Sequence, residues 1–370
     1  MCIRDSTFRG PKFKSHPRAR SKNETQSRNS IKQGYDRKEE RSGKNSEKIR
    51  EEDLCGDTLL RGTAEGLFQR EIGRGGGSHM KIVIASGKGG VGKSMVAASL
   101  SLLFSKEAKV VACDCDVDTP SLGLWLGVRR YEKTQKISTS EKAFILKEKC
   151  IGCGKCMEIC GFDAIQKKKG FEVNPLLCEG CGACQLVCPA DAILIKTVSD
   201  GEVRVTQTKY GFPLISGKLY AGEKGSGRIV EILKKKVEEF SHEVAVLDAP
   251  AGIGCPVIAS LRGSDFVLLV TEPMPSALSD LRRILKIVNH FQIPYGIVIN
   301  KWDVNPRFSR KIEKLYGDRI LGRVRYDEKV MECILNLKPV VSCESGAARD
   351  IRCVYQRLKS EMIGFKFEKR

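Results

Sequence analysis

The sequence predicts an α/β protein built on a doubly wound, mostly parallel sheet, into which a small cysteine-rich domain is inserted. Short apolar runs such as KIVIAS and VAVLDAP alternate with helical stretches from residue 80 onward, as buried parallel strands and their connecting helices do. A glycine-rich loop directly follows the first run. Eight cysteines in two tight groups, between residues 150 and 188, interrupt the alternation.

The length and composition are those of a globular protein. The 370 residues allow one large domain and a small one, and an apolar fraction of 41% is sufficient for a core. The formal charge of +19 includes no compact basic block after residue 79, apart from KKK at 167–169 and 234–236. We interpret these two runs as solvated faces and expect no nucleic-acid partner.

The chain shows no sequence signal for a membrane or for secretion. No apolar run approaches the roughly 18 to 20 residues of a membrane span, and the start lacks the apolar region of a signal peptide. Half of the sixteen cysteines fall in metal-binding groups, which suits a reducing compartment. We therefore predict a cytoplasmic protein without a transmembrane segment.

Residues 1–79 differ in composition from the rest of the chain. They are rich in Arg, Lys, Ser, Asn and Gly and show no sustained helix or strand period, which is typical of disorder. The region ends in GGGSHM, and MKIVIASGKGG then reads like a natural protein start at Met80. We expect a disordered or non-native extension, with a native basic tail as the alternative.

The loop after the first apolar run has the pattern of a phosphate-binding P-loop. GKGGVGKS matches G-x-x-x-x-G-K-[ST] between a strand and a helix. Its backbone N–H groups would turn toward phosphate oxygens, Lys93 would reach the β and γ phosphates, and the Ser94 hydroxyl would bind Mg²⁺. The predicted nucleotide-contacting residues are Gly87, Lys88, Gly89, Gly90, Val91, Gly92, Lys93 and Ser94.

Carboxylates end two of the predicted strands. Asp114, Asp116 and Asp118 alternate at the end of the second strand, and a later buried strand, VAVLD, is predicted to end in Asp248 at the position of a Walker B aspartate. The carboxyl ends of parallel strands face the ligand crevice of an open α/β sheet, where such groups can bind Mg²⁺ or orient an attacking water. For Asp118, a turn cap is an equally good interpretation.

INKWD ends a later strand and bears on the choice of nucleotide. It places Asn300 where a base could be read. N-K-x-D is also the guanine-recognition element of GTPases, in which Asp303 would pair with the base. GTP therefore stays open as the alternative to ATP.

The two cysteine groups have the spacing of a bacterial two-cluster ferredoxin. Each is C-x₂-C-x₂-C-x₃-C, in which three thiolates hold one [4Fe–4S] cube and the fourth reaches the other cube. The first predicted ligand set is Cys150, Cys153, Cys156 and Cys188, and the second is Cys178, Cys181, Cys184 and Cys160. FDAI and ADAI extend the internal repeat. Zinc is the rival metal, because four-cysteine sites also bind it.

The P-loop carries a second lysine, Lys88, in the form K-G-G-x-G-K-S, and in this it resembles the deviant P-loop of the MinD/ParA superfamily, which includes the nitrogenase iron protein. The resemblance implies ATP and a homodimer in which Lys88 crosses to the partner's nucleotide, much as an arginine finger does. It also implies that Asp116 positions the hydrolytic water and Asp114 supports the Mg²⁺ shell. Lys88, Lys93 and Asp116 are accordingly the predicted catalytic residues of an ATPase.

With the insert included, the chain resembles MinD-superfamily ATPases that contain an inserted ferredoxin domain. The resemblance implies a first ATPase segment at 80–141, a two-cluster ferredoxin at 142–198 and a second ATPase segment at 199–370. The implied cofactors are ATP, Mg²⁺ and two [4Fe–4S] clusters.

The remaining cysteines lack metal-ligand spacing. Cys255 lies near the offset at which the nitrogenase iron protein has a cluster-bridging cysteine, but no second cysteine outside the insert accompanies it, so we expect a buried core residue. Cys113 and Cys115 are also expected to pack in the core. No ligand pattern connects the last three, Cys333, Cys343 and Cys353.

The C-terminal segment IRCVYQRLKSEMIGFKFEKR is basic and has an apolar stripe at helical spacing. Such a helix could bind a membrane surface. A final core helix explains the stripe more simply. The stripe comprises Ile351, Val354, Tyr355, Leu358 and Met362.

Together these features predict an ATP-binding and ATP-hydrolysing iron–sulfur protein that couples its nucleotide state to electron transfer. Its partner would be a redox or metallocofactor acceptor protein. One alternative is an assembly factor for iron–sulfur or other metallocofactors, although the chain lacks the C-terminal C-x-x-C of Mrp/Nbp-type cluster carriers. The other is a redox-sensing positioning switch of the MinD/ParA kind.

Overall fold

The computed structural model describes residues 79–368, so the predicted extension at 1–79 lies outside the described residues except for its last position. The strands in this range are β1 (Met80–Ser86), β2 (Val110–Asp114), β3 (Lys133–Ile137), β4 (Ser140–Ile145), β5 (Ile165–Lys167), β6 (Phe171–Val173), β7 (Ile193–Val198), β8 (Gly201–Gln207), β9 (Pro213–Leu219), β10 (Val244–Ala251), β11 (Phe266–Thr271), β12 (Tyr295–Asn300) and β13 (Ile320–Val324). The helices are α1 (Lys93–Phe104), α2 (Leu122–Trp125), α3 (Lys155–Ile159), α4 (Ala183–Leu186), α5 (Ser226–Val237), α6 (Cys255–Leu261), α7 (Pro275–His290), α8 (Pro306–Tyr316), α9 (Lys329–Leu335) and α10 (Gly346–Glu368).

Nine of these strands form one sheet in the order β13–β12–β11–β1–β10–β2–β9–β8–β3. The strands from β13 to β9 run parallel, whereas β8 and β3 extend the edge in antiparallel fashion. Successive residues of β1, Ile82 and Val83, are both fully buried and belong to different apolar clusters, one on each face. Because both faces are covered, the strands are apolar throughout. The predicted doubly wound, mostly parallel sheet is confirmed.

The C-terminal helix α10 belongs to the core. Its predicted apolar stripe is buried, and the Tyr355 ring meets the Phe104 ring of α1 edge to face at a centroid distance of 4.8 Å. Burying the stripe against α1 and the sheet removes its apolar surface from water. The interpretation of this segment as a core helix is confirmed.

One of the two lysine runs is not simply a solvated face. Lys167, Lys168 and Lys169 are exposed, as expected. Lys234, in contrast, is half-buried and its ammonium donates to the carbonyl oxygens of Ala259 at 2.7 Å and Arg262 at 2.6 Å. The expectation was wrong for Lys234 because α5 packs beside α6, and its long side chain reaches the carbonyls at the end of that helix.

The cysteine-rich segment lies between β3 and β8 and forms its own small core. Strands β4 and β7 pair in antiparallel fashion from Ser140 opposite Val198 to Ile145 opposite Ile193, and β5 pairs with β6. The apolar residues of this core pack around the cysteines. The first and last strands of the segment therefore lie side by side and close it at its base.

No helix within residues 79–368 is long and apolar enough to cross a membrane.

Candidate functional site

The P-loop joins β1 to α1 and needs glycine at two of its positions for steric reasons. A Cβ added to Gly87 would lie 2.2 Å from the backbone oxygen of Asp280. Gly92 has a φ of 94°, and a Cβ there would lie 2.5 Å from Nδ2 of Asn300. The loop thus packs tightly on neighbouring elements in a conformation that only glycine adopts without strain.

Asn300 binds the P-loop directly. Its amide Nδ2 donates to the Val91 carbonyl at 2.9 Å, while its Oδ1 accepts from the Lys301 backbone N–H at 3.0 Å. The side chain is 4% exposed. In this geometry Asn300 holds the loop in place, and its predicted contact with a base stays a prediction. Asp303 accepts from the Tyr326 backbone N–H at 2.7 Å.

Two buried carboxylates stand next to the P-loop. Asp114 of β2 and Asp248 of β10 are opposite each other in the sheet register and are 0% and 1% exposed. Burial raises the pKa of Asp248 to about 7, opposed by the Lys93 ammonium and the nearby Ser94 hydroxyl. Burial, followed by the Asp248 charge, also raises the pKa of Asp114.

The two carboxylates differ in their partners. Asp114 accepts hydrogen bonds from the backbone N–H groups of Leu122 at 2.9 Å and Asp116 at 3.2 Å. Neither carboxylate oxygen of Asp248 has a well-formed hydrogen bond within the described part of the chain. A buried carboxylate without a donor costs free energy, which a cation beside it would recover. Carboxylate and hydroxyl oxygens are the donors that Mg²⁺ prefers.

The remaining predicted residues of this site lie around the loop. Lys93 begins α1 and is 7% exposed, and the Ser94 hydroxyl accepts a hydrogen bond from Ser121 at 2.8 Å. Asp116 is partly exposed, and its Oδ1 accepts from the backbone N–H and the hydroxyl of Thr119 at 3.2 and 3.1 Å. No motif in the sequence singled out Ser121, because a serine seven residues after Asp114 has no distinctive spacing.

Lys88, the second lysine of the loop, points within its own chain to the start of α7. Its ammonium lies 3.1 Å from the Met274 sulfur and is partly buried. Met274 belongs to the segment VTEPMPSALSDLRR, for which the sequence offered no chemical interpretation. The structure contains one chain, so the predicted contact of Lys88 with the nucleotide of a partner chain stays a prediction.

The cysteine-rich segment contains two cavities, each lined by one of the two predicted ligand sets. One cavity is lined by Cys150, Cys153, Cys156 and Cys188. The other is lined by Cys178, Cys181, Cys184 and Cys160. All eight are free thiols. Each cavity therefore draws three cysteines from one run and one from the other.

The internal repeat is also present in the backbone. Gly152 and Gly154 have φ values of 74° and 81°, and their counterparts Gly180 and Gly182 have 66° and 78°. A left-handed residue at each of these positions turns the chain around its cavity. The two cysteine runs therefore share the same backbone conformation at these glycines, as the duplicated sequence predicts.

Backbone N–H groups point at several of the sulfurs. Ala164 donates to Cys160 at 3.4 Å, and Ala192 donates to Cys188 at 3.3 Å, each from four residues further along the chain. Burial raises the pKa of the Cys156 and Cys184 thiols. Within residues 79–368 no group of three or more His, Cys, Asp or Glu side chains converges closely enough to hold a single metal ion.

Cys255 is exposed, contrary to our expectation of a core residue. It is the first residue of α6, directly after the turn at Gly252 and Gly254 that leaves the sheet edge, and Val257 and Leu261 of the same helix occupy the core instead. The prediction was wrong because the helix presents its first residue outside the sheet.

The other cysteines take two different structural roles. Cys113 and Cys115 are fully buried with their sulfurs 3.7 Å apart, as expected of packing residues. Cys333 and Cys343, ten positions apart in the sequence, form a disulfide. Spacing alone did not indicate this bond, because the pair is brought together by the fold between α9 and α10.

The chain is similar to a known protein family and to several known proteins. The sequence model for the CobQ/CobB/MinD/ParA nucleotide binding domain matches residues 82–340. An uncharacterised protein of Methanocaldococcus jannaschii is 39% identical over 280 residues, covering 76% of this chain and 96% of that protein. The iron–sulfur cluster carrier protein of the same organism is 24% identical over 304 residues, covering 77% of this chain and 86% of its own length.

Two solved MinD structures are among those to which the chain is similar. The septum site-determining protein MinD of Pyrococcus horikoshii OT3, complexed with Mg-ADP, is 18% identical with a TM-score of 0.48, covering 76% of this chain and 96% of its own. The cell division ATPase MinD of Pyrococcus furiosus is 18% identical with a TM-score of 0.49, covering 76% and 99%.

Proposed function

This chain belongs to the CobQ/CobB/MinD/ParA nucleotide-binding domain family, and from that premise we propose that it is an ATP-hydrolysing iron–sulfur protein whose nucleotide state controls electron transfer to an acceptor. Residues 80–141 and 199–370 would form the ATPase, and 142–198 a two-cluster ferredoxin inserted between them. Two features of the molecule support the proposal: the buried carboxylates beside the P-loop, and the two cavities lined by the predicted cysteine sets.

At the nucleotide site, the residues of the P-loop would hold the phosphates. Lys93 would neutralise the β and γ phosphates, and Ser94 and Asp248 would contribute to the Mg²⁺ shell, with Asp114 behind them. Asp116 would release Thr119 and orient the water that attacks the γ phosphate, yielding ADP and phosphate. Lys88 of a second copy would complete the site in an ATP-dependent homodimer.

We favour an iron–sulfur cluster over zinc at the two cysteine cavities. A zinc ion needs four sulfurs about 2.3 Å from one point, whereas a [4Fe–4S] cube spreads its four thiolates around a core of several atoms. Each cavity has four cysteines on its walls, but they do not converge on a point. A cluster held by each set would carry one electron between a donor and an acceptor protein.

Coupling the nucleotide state to electron transfer requires only a small change in the free energy of cluster reduction. Reduction potentials of clusters depend on hydrogen bonds to the sulfurs and on solvent exposure. For one electron, a shift of about 60 mV corresponds to about 1.4 kcal/mol. A typical hydrogen bond contributes about 0.5 to 1.5 kcal/mol, so a nucleotide-driven movement that alters one N–H···S bond would supply a change of this order.

The observation that carries the proposal is the crosswise grouping of cysteines around two cavities in a chain of a nucleotide-binding family. The test is anaerobic reconstitution with iron and sulfide, followed by EPR of the reduced protein with and without ATP. We expect two cluster signals and an ATP-dependent change in midpoint potential that Lys93→Ala abolishes. Potentials and reduction rates indifferent to ATP would contradict the coupling.

Assembly of metallocofactors is the second candidate function. It is favoured by the exposure of Cys153 and Cys181, one on each cavity, and by the similarity to a protein named as an iron–sulfur cluster carrier. Exposed ligands are the ones an incoming thiolate could replace. Transfer of clusters from the reconstituted protein to an apo-ferredoxin, accelerated by ATP, would support assembly over electron transfer.

A further inference from the structure

The cysteine-rich segment contacts the nucleotide-binding part at the loop of residues 220–225, which connects β9 to α5. A Cβ added to Gly222 would lie 2.6 Å from a methyl group of Leu176. Lys224 forms an ion pair with Glu179, next to the cavity cysteine Cys178. The loop therefore packs against the chain that leads into the second cavity.

A buried ion pair lies at the centre of this contact. The Lys142 ammonium is 2.7 Å from Oε2 of Glu223 in the loop and donates to the Pro175 carbonyl at 2.6 Å. The two side chains are only 7% and 19% exposed. A buried charge is held in place by its partners, because losing one of them leaves the other charge unpaired at a high cost in free energy.

Lys142 is adjacent in sequence to a group that touches a predicted ligand. The backbone N–H of Ala143 donates to the Cys178 sulfur at 3.4 Å. Any displacement of Lys142 along β4 moves Ala143 with it. The ion pair is therefore one residue away from an N–H···S hydrogen bond of the second cavity.

The other side of the loop leads to the nucleotide site. Helix α5 begins directly after the loop, and a Cβ on its Gly227 would lie 3.2 Å from Cβ of Cys255, the first residue of α6. Lys234 fixes α5 to the far end of the same helix. Helix α6 in turn follows Asp248 by a short turn, in which the Gly252 N–H donates to the Ser86 carbonyl at 2.9 Å.

We infer that the Lys142–Glu223 pair is a positioning element that sets the reduction potential of the cluster in the Cys178 cavity and transmits nucleotide-dependent movement of α5 and α6 to it. The inference rests on the proposed function for the presence of the cluster. It deepens that function by naming which of the two clusters responds to nucleotide. Lys142 carries a positive charge one residue before the N–H group that donates to Cys178, and Glu223 balances that charge.

Because Lys142 and Glu223 carry opposite charges, the inference predicts the direction in which each substitution shifts the midpoint potential. Glu223→Gln leaves the Lys142 charge unbalanced, which favours the more negative, reduced state and raises the midpoint potential of the Cys178 cluster. Lys142→Met removes the positive charge and lowers that potential. Lys142→Arg keeps the charge and should remain close to the wild type. A merely structural role would move both charge-changing variants in the same direction.

The experiment is an anaerobic EPR redox titration of each reconstituted full-length variant, with and without Mg-ATP. Cys153→Ala and Cys181→Ala assign the two signals to their cavities. Lys147→Met is the matched control, because it removes an exposed ion pair with Glu172, at 3.7 Å, in the same segment. If Lys142→Met fails to bind iron, the midpoint potentials of Glu223→Gln and Lys142→Arg still test the inference.

Two results separate this inference from the proposed function. We expect opposite shifts of the Cys178 signal without nucleotide, no shift of the Cys150 signal, and loss of the ATP effect in Glu223→Gln. An unchanged Cys178 potential in Glu223→Gln overturns the inference even when the wild type responds to ATP. A wild type that ignores ATP overturns the proposed coupling, while the nucleotide-free shifts still decide the role of the pair.

Discussion

Asp114 and Asp248 lie opposite each other on adjacent parallel strands in the middle of the sheet. Both are buried, near the carboxyl ends of the strands, where the P-loop begins. Two carboxylates this close repel each other when both are ionised, and burial adds to the cost. Their arrangement is therefore costly in the free protein, and the proposed Mg²⁺ would offset this cost.

The raised pKa of Asp248 predicts a pH dependence of stability in the nucleotide-free protein. The carboxyl titrates near 7 when folded and near 3.8 when unfolded, so the unfolded state loses its proton first as the pH rises. The free energy of unfolding should fall between about pH 4 and 7, by a few kcal/mol at most, and then level off. Denaturant unfolding at a series of pH values measures this.

The matched variant for that experiment is Asp248→Asn, which cannot titrate and should make the fall shallower, while the raised pKa of Asp114 still contributes to it. Asp318→Asn, at an exposed position, should keep it. Binding of Mg-ATP should strengthen as the pH rises through about 7 in the wild type, because the metal requires the ionised carboxylate. Identical pH profiles for the wild type and Asp248→Asn would contradict the assignment.

Substitutions at two glycines of the P-loop should separate backbone strain from steric conflict. Gly92→Ala combines a φ of 94° with a Cβ 2.5 Å from the Asn300 amide, so we expect a loss of about 2 to 4 kcal/mol in stability. Gly90→Ala has a φ of 78° but open space around its Cβ, and it should cost only about 1 kcal/mol. Chemical denaturation measures the free energy of unfolding of both variants. Equal losses of stability would show that the Asn300 side chain moves aside to accommodate the added methyl group.

The two lysines of the P-loop should fail in different ways. Lys93→Ala should weaken nucleotide affinity by about 100-fold, because a charged contact to phosphate is lost. Lys88→Ala should retain ADP affinity but lose ATP-dependent dimerisation and about 1,000-fold or more in hydrolysis. Calorimetry, light scattering and phosphate release measure these properties. Met274→Leu, which removes the sulfur beside Lys88, is the control and should behave as the wild type.

The crosswise ligand sets can be tested by iron content. The reconstituted wild type should hold about eight iron atoms per chain. Cys156→Ala and Cys160→Ala should each lose about half of the iron, and the double variant should lose nearly all of it, because the two residues line different cavities.

The control for this test is a second double variant. Cys160→Ala combined with Cys184→Ala should lose no more iron than either single variant, since both line one cavity. Cys255→Ser should retain the full content. If the pair Cys156 and Cys160 behaved as one site, the ligands would be grouped by run and the crosswise sets would be wrong.

Local patterns predicted the parts of this protein whose geometry is set within a few residues. The P-loop glycines, the strand that contains Asp248 and continues to Ala251, and the duplicated turns at Gly152 and Gly180 all follow from short-range backbone requirements. The buried parallel strands were recognisable because both faces of the sheet are covered, which demands apolar residues throughout. The stripe on α10 followed from helical spacing in the same way.

Contacts between distant segments were not predictable from those patterns. The spacing of Cys255 carries no information on its exposure, which depends on how the turn after Asp248 leaves the sheet. The predicted contact of Asn300 with a base stays a prediction, and the hydrogen bond from its amide to the Val91 carbonyl, 209 residues away in the sequence, was not predicted. Lys142 and Glu223 have the character of ordinary surface residues until β4 packs against the loop before α5.

The sequence by itself therefore determined the doubly wound sheet, the phosphate-binding loop and the two duplicated cysteine runs, because each depends on periodicity or turn geometry along a continuous segment. Only the tertiary structure decided that Asn300 holds the P-loop, that α5 is tied to α6, and that a buried ion pair joins the insert to the nucleotide-binding part. Such contacts arise from the packing of elements far apart in the chain, and burial gives them energies that no local pattern encodes.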